Sequence, residues 1–174
     1  NTDMTLASIQ AGISQYSITE FMTQNDEEIT MACIPEEFFT DMDIEIDEGR
    51  QYGEQYDHII KMAVIAIQEA ISEQDISEPI PLILAMPEPN EEAEHIPTEQ
   101  LVNNLVKQGL PVQPELVRTI HTGRAAGIQA LELAIKYLYE AGNEFVLIGG
   151  SDSHLSYPRL DTLDQERLKT PASM

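Results

Sequence analysis

Basic residues are scarce in this chain and are missing altogether from its first 49 positions. The 174 residues include 9 Lys and Arg against 31 Asp and Glu, which gives a formal net charge of −22 at pH 7. A surface of that sign repels the phosphates of nucleic acids and the headgroups of anionic membranes. We therefore expect neither nucleic acid nor a membrane among the partners of the protein.

Cysteine and long apolar runs are also nearly absent. The single cysteine, Cys33, excludes an internal disulfide framework, and its β-prone apolar surroundings predict a buried and inert thiol. No apolar run approaches the roughly 18 residues that span a bilayer. The first residues also lack the basic region of a signal peptide. These absences predict a cytoplasmic protein.

Apolar patterns of the helical and the strand type alternate along the chain. Apolar positions spaced three and four residues apart predict helices at residues 5–11, 52–72 and 97–109. Short apolar runs predict strands at residues 29–34, 80–86 and 116–120. Residues 36–49 fit either an irregular acidic loop or an edge strand, and residues 87–97 fit a solvated loop with three prolines. The alternation predicts one α/β domain over residues 1–174, with a mainly parallel sheet and helices on both of its faces.

The most specific pattern lies in residues 119–153, TIHTGRAAGIQALELAIKYLYEAGNEFVLIGGSDS. It predicts a helix that is apolar around most of its circumference and is therefore buried at the centre of the fold. Gly127 within this helix predicts the close approach of another backbone, and Gly142 predicts where the helix ends. Residues 145–148 predict a short strand that is covered on both faces.

The segment HTGRAAGIQALELAI, followed by AGNEFVLIGGSDS, resembles the central part of β-ketoacyl synthases and other condensing enzymes of the thiolase fold. In that family a cysteine at the N-terminus of a buried helix attacks an acyl thioester, and the next strand closes with a Gly-Gly pair. Counting back from Gly149 and Gly150 places Arg124 at the cysteine position, with Gly123 and Ala125 as alternatives one residue away. The resemblance thus implies a thiolase-like fold without the catalytic nucleophile.

The resemblance extends to the N-terminal half of a condensing enzyme. ASIQAGIS near the start resembles the family's first helix. The family's opening strand has no counterpart in the sequence, and neither has its second half, which carries two further catalytic residues. The resemblance implies a β-ketoacyl-synthase-like protein of fatty-acid or polyketide type that acts as a non-catalytic subunit or fragment. The alternative is a diverged acyltransferase that is active only with its C-terminal half.

The resemblance also implies a candidate pocket around the start of the helix and the end of the next strand. Its residues are His121, Thr122, Gly123, Arg124, Gly149, Gly150 and Ser151. We expect Arg124 to pair with a carboxylate rather than to hold an anion with the backbone of the helix. No cofactor is expected, and no metal either, because the spacing of His121, His154 and Asp152 is not that of a metal site.

Protein partners are the remaining expectation. In the family, the strand before the nucleophile pairs across a dimer two-fold, so the resemblance implies a homodimer joined through residues 116–120. A C-terminal half or an active synthase subunit are the other expected partners. An acyl carrier protein is a weaker candidate, because such carriers are acidic and this chain has few basic residues to meet one.

Overall fold

A computed structural model of the protein describes residues 2–13, 16–39, 42–45, 55–72, 74, 76, 78–89, 95–154 and 157–168. Where the sequence predicts one domain, the chain groups into two compact units, Asn1–Asp41 with Tyr157–Met174, and Met42–Ser156. The predicted loop glutamates Glu91, Glu92 and Glu94 lie outside the described residues, as do positions 46–54. None of the helices within the described ranges is long and apolar enough to cross a membrane.

The smaller unit contains a β-hairpin and two helices. Helix α1 (Thr2–Gln10) corresponds to the predicted first helix, and strands β1 (Tyr16–Met22) and β2 (Glu28–Ala32) pair in antiparallel fashion. A short 3-10 turn (Glu36–Phe39) follows, and helix α5 (Tyr157–Leu168) completes the unit. The ring of Tyr157 packs edge-on to Phe21, with ring centroids 4.5 Å apart. Strand β1 and helix α5 have no counterpart in the sequence-based prediction.

The larger unit contains a three-stranded sheet in which all strands run parallel. Its elements follow in the order α2 (Gln55–Ile71), β3 (Ile80–Ala85), α3 (Thr98–Lys107), β4 (Val112–Ile120), a 3-10 turn (Gly123–Ala125), α4 (Ala126–Tyr139) and β5 (Leu147–Gly150). The order of strands across the sheet is β4-β3-β5, with both pairs parallel. The predicted α/β alternation and parallel sheet are therefore confirmed.

Helices cover the sheet on both faces, as predicted. On one face, a core cluster contains Leu82, Leu84 and Val117 of the sheet together with apolar side chains of α2 and α3. On the other face, a second cluster contains Ile83 of the sheet together with side chains of α4. The chain steps from β3 to β4 in one direction and from β4 across β3 to β5 in the other. Because parallel crossovers are right-handed, these opposite steps require α3 and α4 to lie on opposite faces of the sheet.

Helix α4 is not the buried central helix that the sequence predicts. It contacts the core through three buried alanines and two partly buried large side chains, namely Ala126, Ala130, Ala134, Leu133 and Tyr137. Ile128 and Leu131, in contrast, are 73% and 49% exposed. Apolar residues therefore occur around most of the helix, but several of the large ones lie on its outer side, away from the sheet.

Two further predictions around α4 are also wrong. Strand β5 begins at Leu147 rather than Phe145 and is an edge strand, with Ile148 42% exposed, so it is not covered on both faces. A Cβ built at Gly127 would meet no atom within 4 Å, so no backbone of the described residues makes the predicted close approach. Cys33 is half-buried rather than fully buried.

Candidate functional site

The three parallel strands end at one edge of the sheet, and all the candidate residues lie at that edge. Ala85 at the end of β3 is level with Ile120 at the end of β4 and with Gly150 at the end of β5. The pairing continues one residue further, with hydrogen bonds from Met86 N to Ile120 O at 2.9 Å and from Ser151 N to Ala85 O at 3.1 Å. In open α/β sheets, ligands bind outside the carboxyl ends of the strands where successive connections leave toward opposite faces. The junction of β3 and β5 is such a place.

The turn between β4 and α4 requires glycine at one position. Gly123 has a φ of 56°, and a Cβ there would lie 2.9 Å from Oε2 of Glu88. The left-handed backbone and the neighbouring carboxylate both disfavour any larger residue. Thr122 donates a hydrogen bond from Oγ1 to Oε1 of Gln129 at 2.7 Å, which ties the turn to α4. Glu88 thus brings a negative charge close to the start of α4, where the helix dipole favours it.

Arg124 lies in the 3-10 turn directly before α4, and its side chain is exposed. No Asp or Glu among the described residues forms an ion pair with it. The predicted pairing of Arg124 with a carboxylate is therefore not seen in this part of the chain. The position that the resemblance assigns to a nucleophile holds an exposed guanidinium.

His121 is the most constrained polar side chain of the candidate pocket. Its Nδ1 donates to the carbonyl of Pro87 at 3.0 Å, and its ring lies 5.0 Å, centroid to centroid, from that of His95. Burial lowers the pKa of His121, the carbonyl of Pro87 acts in the opposite direction, and the nearby His95 lowers the pKa further. Nε2 is buried and has no hydrogen-bond partner among the described residues. In the neutral imidazole this atom is a proton acceptor.

Tyr56 places a second constrained group near the same edge. Its side chain, near the start of α2, is fully buried. Burial and the negative charge of Asp152 raise the pKa of the Tyr56 hydroxyl to about 12, against a lowering contribution from the backbone of Ile96. Asp152 follows the end of β5, so this interaction joins α2 to the strand edge. The phenol is neutral throughout the physiological pH range.

The raised pKa of Tyr56 predicts a loss of stability at high pH. The unfolded chain releases this proton near pH 10 and the folded chain near pH 12, so the stabilising contribution is complete below pH 10 and is lost between these values. The free energy of unfolding should fall by about 2–3 kcal/mol over this interval. Urea unfolding between pH 9 and pH 12 should show a shallower fall for Tyr56→Phe. Tyr139→Phe, at an 85% exposed position, is the matched control; if both variants follow the wild-type profile, the assignment is wrong.

The Gly-Gly pair of β5 is not required by lack of space. A Cβ at Gly149 would lie 3.7 Å from Cδ1 of Leu84, and one at Gly150 would lie 3.6 Å from the Cβ of Ala85, which are ordinary contacts. Ser151 donates a hydrogen bond from Oγ to the carbonyl of Ile59 at 2.8 Å, which ties the end of β5 to α2. Its hydroxyl is therefore used structurally.

The structure brings together side chains that the sequence analysis did not connect. Tyr56, Glu88 and His95 belong to α2 and to the segments after β3 and before α3, and none was assigned to the site. Asp152, which the sequence analysis names only in excluding a metal site, acts electrostatically on Tyr56. Position 88 follows a predicted strand, so the general preference for ligand sites after parallel strands could have identified Glu88. No three His, Cys, Asp or Glu side chains are grouped as a metal site requires within the described ranges.

The chemistry available at this edge consists of a neutral proton acceptor, a neutral phenol, two carboxylates and a guanidinium. It offers hydrogen bonding and charge but no thiolate or activated hydroxyl at the start of α4.

Comparison of the chain with protein-family profiles, with curated protein sequences and with solved structures finds no match in any of the three.

Proposed function

We propose that the chain is a thiolase-type, β-ketoacyl-synthase-like protein of fatty-acid or polyketide type, without condensing activity of its own, that acts as a non-catalytic subunit or half. The observation that carries this proposal is the position of Arg124. It lies between strand β4 and helix α4, where the resemblance puts the nucleophilic cysteine.

The order of elements around Arg124 supports the proposal. The chain passes from β4 through the turn Gly123–Ala125 into α4, and then into β5, which runs parallel to β3 and ends in Gly149 and Gly150. A strand, a turn with the reactive residue, a helix and a strand with a terminal Gly-Gly pair are the sequence of elements that the resemblance implies. The proposal therefore assigns the edge described above to the former acyl site.

The side chains at that edge support the absence of condensing activity. A guanidinium remains protonated and has no lone pair with which to attack a thioester carbonyl. The hydroxyls of Thr122 and Ser151 donate to Gln129 and to the carbonyl of Ile59, so neither is directed at a base. The only thiol of the chain, Cys33, belongs to the other compact unit.

Strand β4 is the proposed surface for a second copy or a synthase subunit. It pairs with β3 on one side and with no other strand of the described part of the chain. A nine-residue edge strand presents unpaired backbone groups that can pair with a second strand. The proposed pairing of residues 116–120 uses this edge.

A second candidate function is that of a diverged acyltransferase that is active only together with its C-terminal half. The observation in its favour is His121, whose Nε2 is a buried proton acceptor at the same edge. Arg124→Ala separates the two functions in the complete protein. Condensation of acyl-carrier substrates that survives this substitution would favour the acyltransferase, whereas copurification with an active synthase and no activity would favour the subunit.

A thiol introduced at position 124 tests the proposed register. In a Cys33→Ser background, Arg124→Cys should become acylated by an acyl-coenzyme A, because the start of α4 lowers a thiol pKa and the site is that of the family nucleophile. Intact-mass spectrometry should show about tenfold faster acylation than for Ala125→Cys, which is equally exposed and one residue away. Equal rates for the two variants, or no acylation of either, would remove the support for this register.

A further inference from the structure

The outer side of helix α4 carries a continuous apolar stripe that nothing in the described part of the chain covers. Its large side chains are between 38% and 85% exposed. With Gly127 the stripe consists of Gly127, Ile128, Leu131, Ile135, Leu138 and Tyr139. Exposed apolar surface that is contiguous on this scale marks an interaction site rather than ordinary solvent-facing residues.

The spacing of the stripe is that of a helix-to-helix seam. Ile128, Leu131, Ile135 and Leu138 follow one another at intervals of three, four and three residues, which is the repeat with which two helices pack side by side. Gly127 has free space around its Cβ position, although glycine within a helix costs about 1 kcal/mol relative to alanine. This position therefore leaves room for a second helix to approach the backbone closely.

The stripe is also symmetric about position 133. Leu131 and Ile135 lie two residues before and after this position, and Ile128 and Leu138 lie five residues before and after it. The remaining pair, Gly127 and Tyr139, lies six residues before and after it. When two such helices pack antiparallel about a two-fold axis, each residue meets its mirror position on the partner. Ile128 then meets Leu138, Leu131 meets Ile135, and the space left by Gly127 receives the ring of Tyr139. A surface that complements itself in this way fits a second copy of the same chain.

The charges favour the same occupant. A chain of net charge −22 repels its copy over most of its surface. Next to the stripe, however, Glu132 and Lys136 form an ion pair at 2.7 Å, so their two charges cancel each other. With the exposed Glu140, whose charge also acts on Lys136, the net charge of these three side chains is −1 per copy. Two copies can therefore meet along α4 with little repulsion between these side chains.

We propose that the protein self-associates through an antiparallel, two-fold packing of α4 against α4 of a second copy, a surface separate from the β4 edge that the proposed function assigns to a second copy or a synthase subunit. The stripe spans twelve helical steps, which is about 18 Å. The half-exposed Ile148 of β5 lies on the same face of the sheet as α4. An interface of one helix pair is at the small end of specific interfaces. The dimer is therefore weak, in the micromolar range, and strengthens as salt screens the repulsion between the two acidic chains.

Sedimentation equilibrium of the full chain tests the interface. The wild type should form a dimer whose dissociation constant falls between 0.15 M and 0.5 M NaCl, and I135E should weaken it at least tenfold. Q129E is the matched control, because it adds the same charge to an exposed position of the same helix outside the stripe. The new carboxylate can still accept the hydrogen bond from Thr122. This variant should leave the dimer unchanged. A strictly monomeric wild type, a dimer that I135E leaves intact, or a dimer that salt weakens would overturn the proposal.

Disulfide trapping tests the antiparallel register. In a Cys33→Ser background, a mixture of the G127C and Y139C chains should form a crosslinked dimer on mild oxidation, and either chain alone should not, because like positions are about 18 Å apart. Crosslinking of G127C to itself would contradict the register. A lower unfolding midpoint of I135E at concentrations where the wild type is monomeric would show that the stripe is covered within one chain, and would also overturn the proposal.

Discussion

Ile83→Ala should lower the free energy of unfolding of the larger unit by about 3 kcal/mol, the range measured for large-to-small changes in a packed core. Ile83 is fully buried at the centre of the sheet and packs against Ala130 and Ala134 of α4. The two alanines are too short to reach into the space that the lost side chain leaves, and the larger Leu133 and Tyr137 only border the cluster. The substitution therefore leaves a cavity at the main contact between α4 and the sheet.

Ile148→Ala is the matched control for this change. Ile148 is level with Ile83 on the neighbouring strand β5 and faces the same side of the sheet, but it is 42% exposed. Its truncation should cost less than about 1 kcal/mol, because less surface leaves the core and solvent can fill the gap. Urea unfolding followed by circular dichroism measures both. Equal losses for the two variants would mean that α4 packs on the sheet differently.

Asn104→Leu is the second change for which we expect a large loss, about 2–3 kcal/mol. Asn104 is 1% exposed on α3. Its Oδ1 accepts from the backbone N–H of Glu45 at 2.8 Å, and its Nδ2 donates to the carbonyls of Glu45 at 2.8 Å and Gln100 at 2.9 Å. Leucine fills a similar volume but removes both hydrogen bonds from Asn104 to the backbone of Glu45, so the N–H of Glu45 loses its partner.

The neighbouring Asn103 provides the control for Asn104. It has the same side chain on the same helix but is exposed. Asn103→Leu should change the free energy of unfolding by no more than about 0.5 kcal/mol. The difference between the two variants isolates the contribution of the buried hydrogen bonds from the helix propensity of leucine. A difference close to zero would contradict the role assigned to Asn104.

The larger unit could be predicted from the sequence because its elements carry strong periodic signals. Helices α2 and α3 present apolar residues at helical intervals, and β3 is an uninterrupted apolar run. The prediction for α4 was wrong because hydrophobicity does not distinguish alanine from isoleucine as a contact residue. The fully buried contacts of the helix are three alanines, whereas Ile128, Leu131 and Ile135 are exposed.

The smaller unit gave weaker signals. Strand β1 exposes Tyr16 and Ile18 at 70% and 65%, so its apolar residues do not mark a core face. Helix α5 is mostly polar, and Leu160 is its buried apolar residue within the described part. With so little apolar surface directed inward, neither element has the periodic pattern on which such predictions depend.

The candidate site could be predicted only in part. Residues 121–124 and 149–151 follow strands that end at the same edge of a parallel sheet, so their proximity follows from the topology. The neighbours of His121 and Gly123 could not be found in this way, because His95 and Glu88 come from separate segments. Tyr56 lies within a predicted amphipathic helix, and the effect of Asp152 on its hydroxyl depends on how α2 meets the end of β5.

The central claim of the proposed function is that Arg124, in the turn before α4, forms no acyl-enzyme. The most direct measurement is the intact mass of the unmodified chain after incubation with an acyl-coenzyme A, with C33S/R124C as the positive control. We predict no added acyl group on the wild-type chain under conditions that acylate the control. An acyl adduct on the wild type, mapped by peptide sequencing to residues 121–125 or 149–153, would contradict the claim.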